Sequence, residues 1–107
     1  MIDEITLAKM ADMLSVASDL TRLKILTCLL GDDFVPGKKD DSLVELSVSE
    51  IVERTGASQS LVSHQLKILK DAELVSARRD GRQIFYSLSD RHVNALVEVV
   101  LEHVSEE

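Results

Sequence analysis

The most constraining feature of this sequence is an Asp-Gly pair at residues 80–81 that lies between two short stretches of alternating side chains. An Asp-Gly pair in that setting is a strong signal for a tight β-hairpin turn, because these residues accept positive φ angles. We therefore predict two short strands, at about 74–78 and 83–88, joined by residues 79–82.

Apolar side chains recur at helical spacing through most of the remaining sequence. This pattern predicts helices at about 3–15, from Ser18 or Asp19 to Gly31, from Ser47 or Ser49 to about Thr55, from about Gln59 to Asp71, and at about 90–105. Residues 56–58 predict a tight turn, and residues 31–44 predict a loop because they hold the only proline. Aromatic residues make up 3% of the chain, so aliphatic side chains must build the core, which favours a mostly helical protein.

This order of elements, with a hairpin before the last helix, is that of a winged helix-turn-helix. A chain of 107 residues has the length for one such domain with one modest core. We therefore predict a mainly α (α+β) domain over residues 1–107, with a helix-turn-helix at about 48–71 and a two-stranded β-hairpin wing at about 74–88. The alternative is a small α+β domain that does not read a DNA groove.

The charges are unevenly distributed along the chain. The net charge is −7, which by itself argues against nucleic acid as a partner. Residues 59–82, however, hold five basic and three acidic residues and form the only net positive region. Because salt limits the reach of a charge to about 8–10 Å, a local basic face can bind phosphate on an acidic molecule. This region coincides with the fourth helix and the hairpin, the two surfaces with which a winged module meets DNA.

The fourth helix has an apolar side and a polar side. Its predicted buried stripe comprises Leu61, Val62, Leu66, Ile68 and Leu69. The polar side offers hydroxyls for close approach, amides for base edges and cations for phosphates. The predicted DNA-binding residues are Gln59, Ser60, Ser63, His64, Gln65 and Lys67 on the helix, with Arg78, Arg79 and Arg82 at the hairpin. The alternative is that these residues are only solvated.

Four segments together resemble the ArsR/SmtB family of metalloregulatory repressors. They are Leu61-Val62-Ser63-His64-Gln65-Leu66-Lys67, Leu74-Val75-Ser76-Ala77-Arg78-Arg79-Asp80-Gly81-Arg82, Tyr86-Ser87-Leu88 and Asp19-Leu20-Thr21-Arg22-Leu23-Lys24-Ile25-Leu26, the last with Leu20 where proline is common. The resemblance covers most of the chain. It implies a homodimer, formed through the N- and C-terminal helices, that binds a palindromic double-stranded DNA operator and is released by an inducer.

Two of the three histidines, His92 and His103, lie in the predicted last helix. At about 100° and 1.5 Å per residue they share one face but lie about 16 Å apart, so one helix cannot bring both to one metal ion. Two antiparallel copies would bring Asp90 and His92 of one chain near His103 and Glu106 of the other, giving two sites per dimer. Two nitrogens and two carboxylate oxygens suit tetrahedral Zn(II), and Co(II) also accepts this set.

These four residues match, residue by residue, the zinc-sensing site that ArsR/SmtB members place on the terminal helix. Glu107 is the nearest rival to Glu106 as the fourth ligand. The family's other metal site contains a cysteine, but this chain has Glu45-Leu46-Ser47-Val48 there, so sensing through a thiolate is not expected. Cys28, the single cysteine, is predicted to be a buried helix residue.

We therefore predict a zinc-responsive repressor, in which Zn(II) lowers DNA affinity and derepresses metal efflux or resistance genes. Two alternatives remain open: a winged-helix repressor of the same family that senses no metal, and a protein-interaction module. We find no nucleophile–base pair and no phosphate loop, so neither an enzyme nor a small organic substrate is expected. The absence of a long apolar run and of a leader pattern predicts a cytoplasmic protein with no membrane partner.

Overall fold

The computed structural model describes residues 1–31 and 44–106. In chain order the elements are α1 (Glu4–Ala17), α2 (Leu20–Cys28), β1 (Leu46–Ser47), α3 (Val48–Thr55), α4 (Gln59–Asp71), β2 (Val75–Asp80), β3 (Gln83–Leu88) and α5 (Arg91–Ser105). The predicted winged helix-turn-helix is confirmed, with α3 and α4 as the helix-turn-helix and β2–β3 as the wing. Most of the predicted loop at 31–44 lies outside the described residues.

The wing differs in two details from the sequence-based prediction. Asp80 pairs with Gln83, so the two residues of the turn are Gly81 and Arg82 rather than Asp80 and Gly81. Gly81 has φ +62°, which is the conformation that a two-residue hairpin turn requires of a glycine at its first position. Because the turn is centred one residue later, β2 continues to Asp80 instead of ending near Arg78.

Within the described residues the sheet has three strands rather than the two predicted, in the order β1-β3-β2. The added strand pairs antiparallel with β3, with Leu46 opposite Tyr86 and Ser47 opposite Phe85. Two residues are too few to produce an alternating pattern, which is why the sequence did not reveal this strand. Ser47 then caps α3, so the start of the helix-turn-helix is attached to the wing.

The core consists of aliphatic side chains from α2, α3, α4, the sheet and α5, as the low aromatic content predicted. The most deeply buried are Ile25, Leu26, Leu29, Ile51, Val62, Leu66, Leu69, Leu74 and Leu88. The buried stripe of α4 is narrower than predicted, because Leu61 lies about 100° around the helix from Val62 and is 39% exposed. Cys28 is only half-buried, at the C-terminal end of α2.

A capping box fixes the start of α3. The Ser47 hydroxyl accepts a hydrogen bond from the Glu50 backbone N–H at 3.2 Å, and a Glu50 carboxylate oxygen accepts one from the Ser47 backbone N–H at 3.0 Å. The Ser47 N–H lowers the pKa of Glu50, because it stabilises the ionised carboxylate. At the other end, Gly56 adopts φ +73° and ends the helix, which sets the turn into α4.

We predict that Ser47→Ala lowers the free energy of unfolding by about 1 kcal/mol, because the Glu50 N–H loses its capping acceptor. Urea denaturation followed by circular dichroism measures this change. Ser49→Ala, at an exposed position within the first turn of the same helix, is the matched control and is expected to cost less. Equal losses in the two variants would contradict the capping role of Ser47.

Candidate functional site

The polar side of α4 is exposed as the sequence predicted. Gln59, Ser60, Ser63, His64 and Lys67 are all exposed, and Ser60, His64 and Lys67 lie on the side of the helix opposite the buried residues. Ser58 begins the helix, because its hydroxyl accepts a hydrogen bond from the Leu61 backbone N–H at 3.2 Å. Since hydroxyls, an amide, an imidazole and a cation are exposed on it, α4 has the composition of a helix that enters a DNA major groove.

Gln65 differs from the other predicted DNA-binding residues of α4. It is half-buried, and its amide oxygen accepts a hydrogen bond of 2.7 Å from Nη1 of Arg22. To turn this oxygen toward a base edge, the side chain would have to break that bond. The structure therefore directs the amide oxygen of Gln65 toward α2.

The three wing arginines have different surroundings. Arg78 Nε donates to Glu45 Oε2 at 2.7 Å, and its guanidinium carbon lies 5.1 Å from the centroid of the Phe85 ring. Glu45 also raises the pKa of Arg78 by stabilising its charged form. Arg79 and Arg82 are exposed, and in the described part of the chain neither forms a salt bridge. Arg79 and Arg82 are therefore the two arginines that can reach a phosphate without giving up an existing contact.

At its N-terminal end, α5 brings the first two predicted metal ligands together. Asp90 caps the helix by accepting a hydrogen bond from the Val93 backbone N–H through Oδ1 at 3.0 Å. His92 Nδ1 lies 3.7 Å from the same oxygen, and the His92 side chain is 97% exposed. The pKa of Asp90 is lowered, chiefly by the Val93 N–H and to a lesser extent by His92. Each carboxylate oxygen has two lone pairs, so Asp90 can cap the helix and still offer an oxygen to a cation.

At its C-terminal end, α5 carries the other two predicted ligands. His103 is exposed in the last turn, and Glu106 is the C-cap residue, with an extended backbone at ψ 133°. Glu106 thus lies just beyond the helix, so helical spacing alone does not fix the direction of its side chain relative to His103. Glu107, the rival fourth ligand, lies outside the described residues.

The four predicted ligands therefore form two separate pairs at opposite ends of one continuous helix. Within the described residues of one chain, no three histidine, cysteine, aspartate or glutamate side chains are grouped in a way that could hold a metal ion. This separation agrees with the length of the helix, which spans about 16 Å between the two histidines. Any site made from all four residues requires a second copy of the chain.

Much of the apolar surface of α1 and α5 is exposed. No residue of α1 is buried, and the exposed apolar side chains on the two helices are Ile5, Leu7, Met10, Leu14, Val99, Val100 and Val104. A groove of about 360 Å³ runs between the end of α1, α2 and α5, lined by apolar side chains that include Leu14, Leu23 and Val97. Apolar patches of this extent are typical of interaction surfaces.

Comparison with known proteins decides the family. The family model for bacterial regulatory proteins of the arsR family matches residues 42–77, which include α3 and α4. The HTH-type transcriptional regulator NmtR of Mycobacterium tuberculosis is 35% identical over 95% of this chain and 75% of its own length. This chain belongs to the ArsR family. The transcriptional repressor SmtB homolog of Synechocystis is 36% identical over 92% of this chain, which spans 65% of that protein.

Solved structures of other bacterial proteins have the same fold. HlyU from Vibrio cholerae aligns with a TM-score of 0.79 at 31% identity, over 97% of this chain and 100% of that chain. A homodimeric winged helix-turn-helix DNA-binding domain from Mycobacterium bovis, a possible ArsR-family transcriptional regulator, aligns with a TM-score of 0.74 at 26% identity, over 96% of this chain and 91% of that chain.

As an ArsR-family member, this protein is a DNA-binding transcriptional regulator and not an enzyme. The family match includes the helix-turn-helix on which the predicted DNA-binding residues of α4 lie. In the parts of the chain that the structure describes, no helix is long and apolar enough to cross a membrane.

Two contacts near this surface were missed by sequence reasoning, namely Arg22 with Gln65 and Arg78 with Glu45. The partners lie 43 and 33 residues apart, so no local spacing reveals them. The only signal for Arg22 was its place in the family-like segment at residues 19–26, and that segment did not indicate a partner on α4.

We predict that Arg79→Ala and Arg82→Ala each make the fall of log affinity with log salt shallower by about one unit per chain, because each removes a phosphate contact. Arg78→Ala is the matched control and leaves the slope unchanged, since Arg78 already pairs with Glu45. Fluorescence anisotropy with duplex DNA at several salt concentrations measures all three. If the salt dependence became shallower only in Arg78→Ala, then Arg78 rather than Arg79 and Arg82 would contact phosphate.

Proposed function

We propose that this protein is a zinc-responsive repressor: its homodimer binds a palindromic operator and loses affinity for it when Zn(II) binds between the two α5 helices. The observation that carries the proposal is the division of Asp90–His92 and His103–Glu106 between the two ends of α5, with exposed apolar side chains between them. Family membership supports the DNA-binding part of the proposal.

The exposed apolar surface of α1 and α5 supports the homodimer. Burial of apolar surface contributes roughly 25 cal/mol per Å², so a second copy laid against these helices gains stability from side chains that water now covers. The homodimeric state of the M. bovis domain, which shares the fold over 96% of this chain, supports the same assembly. An antiparallel pairing of the α5 helices places opposite ends side by side.

The chemistry of the two pairs suits Zn(II). His92 and His103 supply imidazole nitrogens, and Asp90 and Glu106 supply carboxylate oxygens that balance the charge of the dication. All four side chains are exposed in the single chain, so each can reach a cation at a subunit boundary. Co(II) accepts the same ligands and is the expected competitor.

In this proposal, zinc acts by fixing how the two subunits are arranged. Metal bound across the dimer joins the α5 helices, which changes the separation of the two α4 helices and weakens binding to successive major grooves. Couplings of this kind typically amount to about 1–3 kcal/mol, which corresponds to about 5–150-fold in DNA affinity. The regulated genes in this proposal encode metal efflux or resistance.

A second candidate is an ArsR-family repressor that senses no metal. It is favoured by one observation: Asp90 already has a structural role as the N-cap of α5, which is reason enough for an aspartate there. The two candidates differ in what happens to DNA affinity when zinc is added.

We predict that zinc weakens operator binding of the wild-type dimer by about 5–150-fold and that His103→Ala removes this response. His64→Ala, the chain's remaining histidine, is the matched control, and its purified dimer is expected to keep two zinc ions.

Anisotropy titrations with and without zinc, together with metal analysis of the dialysed protein, test this prediction. Wild-type protein that retains no zinc, or the same zinc response in wild type and His103→Ala, would reject the proposed metal site. The protein would then be an ArsR-family repressor that senses no metal, the second candidate above.

A further inference from the structure

Arg22 joins three helices through one side chain. It lies in the first turn of α2, where its backbone N–H donates to the capping carboxylate of Asp19 at 3.0 Å. Its Nε donates to the backbone oxygen of Val16 in α1 at 2.7 Å, and its Nη1 donates to Oε1 of Gln65 in α4 at 2.7 Å. These contacts fix the guanidinium between the end of α1 and the middle of α4.

The contact with α1 completes the end of that helix. The last carbonyl groups of a helix have no partner within it, and Val16 is in the last turn of α1. No basic residue of α1 lies in that turn, so Arg22 supplies both a donor and the positive charge that a helix C-terminus favours. The position of α1 thus depends on a side chain of α2.

The contact with α4 is equally specific. Arginine can only donate, so Gln65 must present its amide oxygen to it. Both side chains are half-buried, which limits competition from water, and the charge of Arg22 strengthens the bond. Because the guanidinium is a rigid planar fork, its two acceptors stay at a fixed separation. Val16 on α1 and Gln65 on α4 are therefore held in a fixed relation.

We propose that Arg22 is a positioning residue that sets the orientation of α4 relative to α1, and that Gln65 acts through Arg22 rather than on a base. The inference rests on operator binding by a homodimer but not on zinc. The exposed apolar surface of α1 is part of the face that a second copy would cover. A fixed α1–α4 relation therefore fixes the distance between the two α4 helices of the dimer.

The affinity for a palindromic operator depends directly on this distance. Half-sites lie about 10 base pairs apart, and one inserted base pair moves a half-site by about 3.4 Å and rotates it around the duplex. A dimer in which α4 is held firmly should bind the inserted operator much more weakly, whereas a dimer in which α4 is held loosely should lose little affinity. The ratio of the two affinities therefore reports on positioning, and a change in fold stability alone does not alter it.

The experiment begins with selection of an operator from random duplex DNA by the wild-type protein. Affinity is then measured for this operator and for the same operator with one base pair inserted between half-sites. The variants are Arg22→Lys, which keeps the charge but loses the fork, Gln65→Met, which keeps the length but loses the acceptor, and the double substitution. Arg54→Lys is the matched control, since it makes the same exchange of guanidinium for ammonium at an exposed position of α3.

We expect the wild type and Arg54→Lys to prefer the uninserted operator by about tenfold or more, and Arg22→Lys to reduce that preference to about threefold or less. Gln65→Met and the double variant should match Arg22→Lys, because two residues that act as a unit do not add. Thermal unfolding and sedimentation of each variant establish that the dimer is intact.

Three results would overturn the inference. If Arg22→Lys unfolds at a lower temperature but keeps the wild-type spacing preference, Arg22 only stabilises the fold. If Gln65→Met changes the bases preferred within a half-site and keeps the spacing preference, Gln65 reads DNA directly. If the wild-type protein selects no operator, both operator binding and this inference are wrong. If the wild type responds to spacing but not to zinc, only the metal proposal is wrong.

Discussion

The apolar surface that α1 and α5 leave exposed is the constraint on which the rest of this structure depends. The buried core is built by α2, α3, α4 and the sheet, with Val93 and Val97 from α5, while no residue of α1 is buried and Val99, Val100 and Val104 of α5 are exposed. A single chain cannot cover these side chains. A second copy can, and the direction in which the two α5 helices then pair decides which of their ends meet.

Two kinds of surface follow from this arrangement, and they are chemically distinct. The face of α4 and the tip of the wing carry the basic region, whereas the ends of α5 carry imidazoles and carboxylates. Arg22 lies between them, with one hydrogen bond to α1 and another to α4. The helices that a dimer would cover and the helix that would enter a groove are thus connected by named contacts.

The sequence was sufficient to predict where helices begin, because helix starts depend on residues that are close together in the chain. Asp19, Ser47, Ser58 and Asp90 cap four helices, which begin at or next to the residues where the pattern predicted them to begin. Features set by distant partners were not predictable, since the β1 strand has only two residues and the partners of Gln65 and Arg78 are far away along the chain. The exposure of Leu61 also escaped prediction, because side chains at the margin of a stripe depend on neighbouring helices. The predicted metal ligands lie at the two ends of α5, as their spacing in the sequence indicated.

A mixed dimer tests most directly whether the proposed metal site is shared between subunits. His92→Ala and His103→Ala chains, each with its own affinity tag, are refolded together and the heterodimer is isolated through both tags. If the site is shared by antiparallel α5 helices, one of its two sites loses both histidines and the other keeps both. We therefore predict that the heterodimer binds one zinc ion with wild-type affinity, whereas each mutant homodimer binds none with that affinity. A heterodimer that behaves like the mutant homodimers would contradict the account.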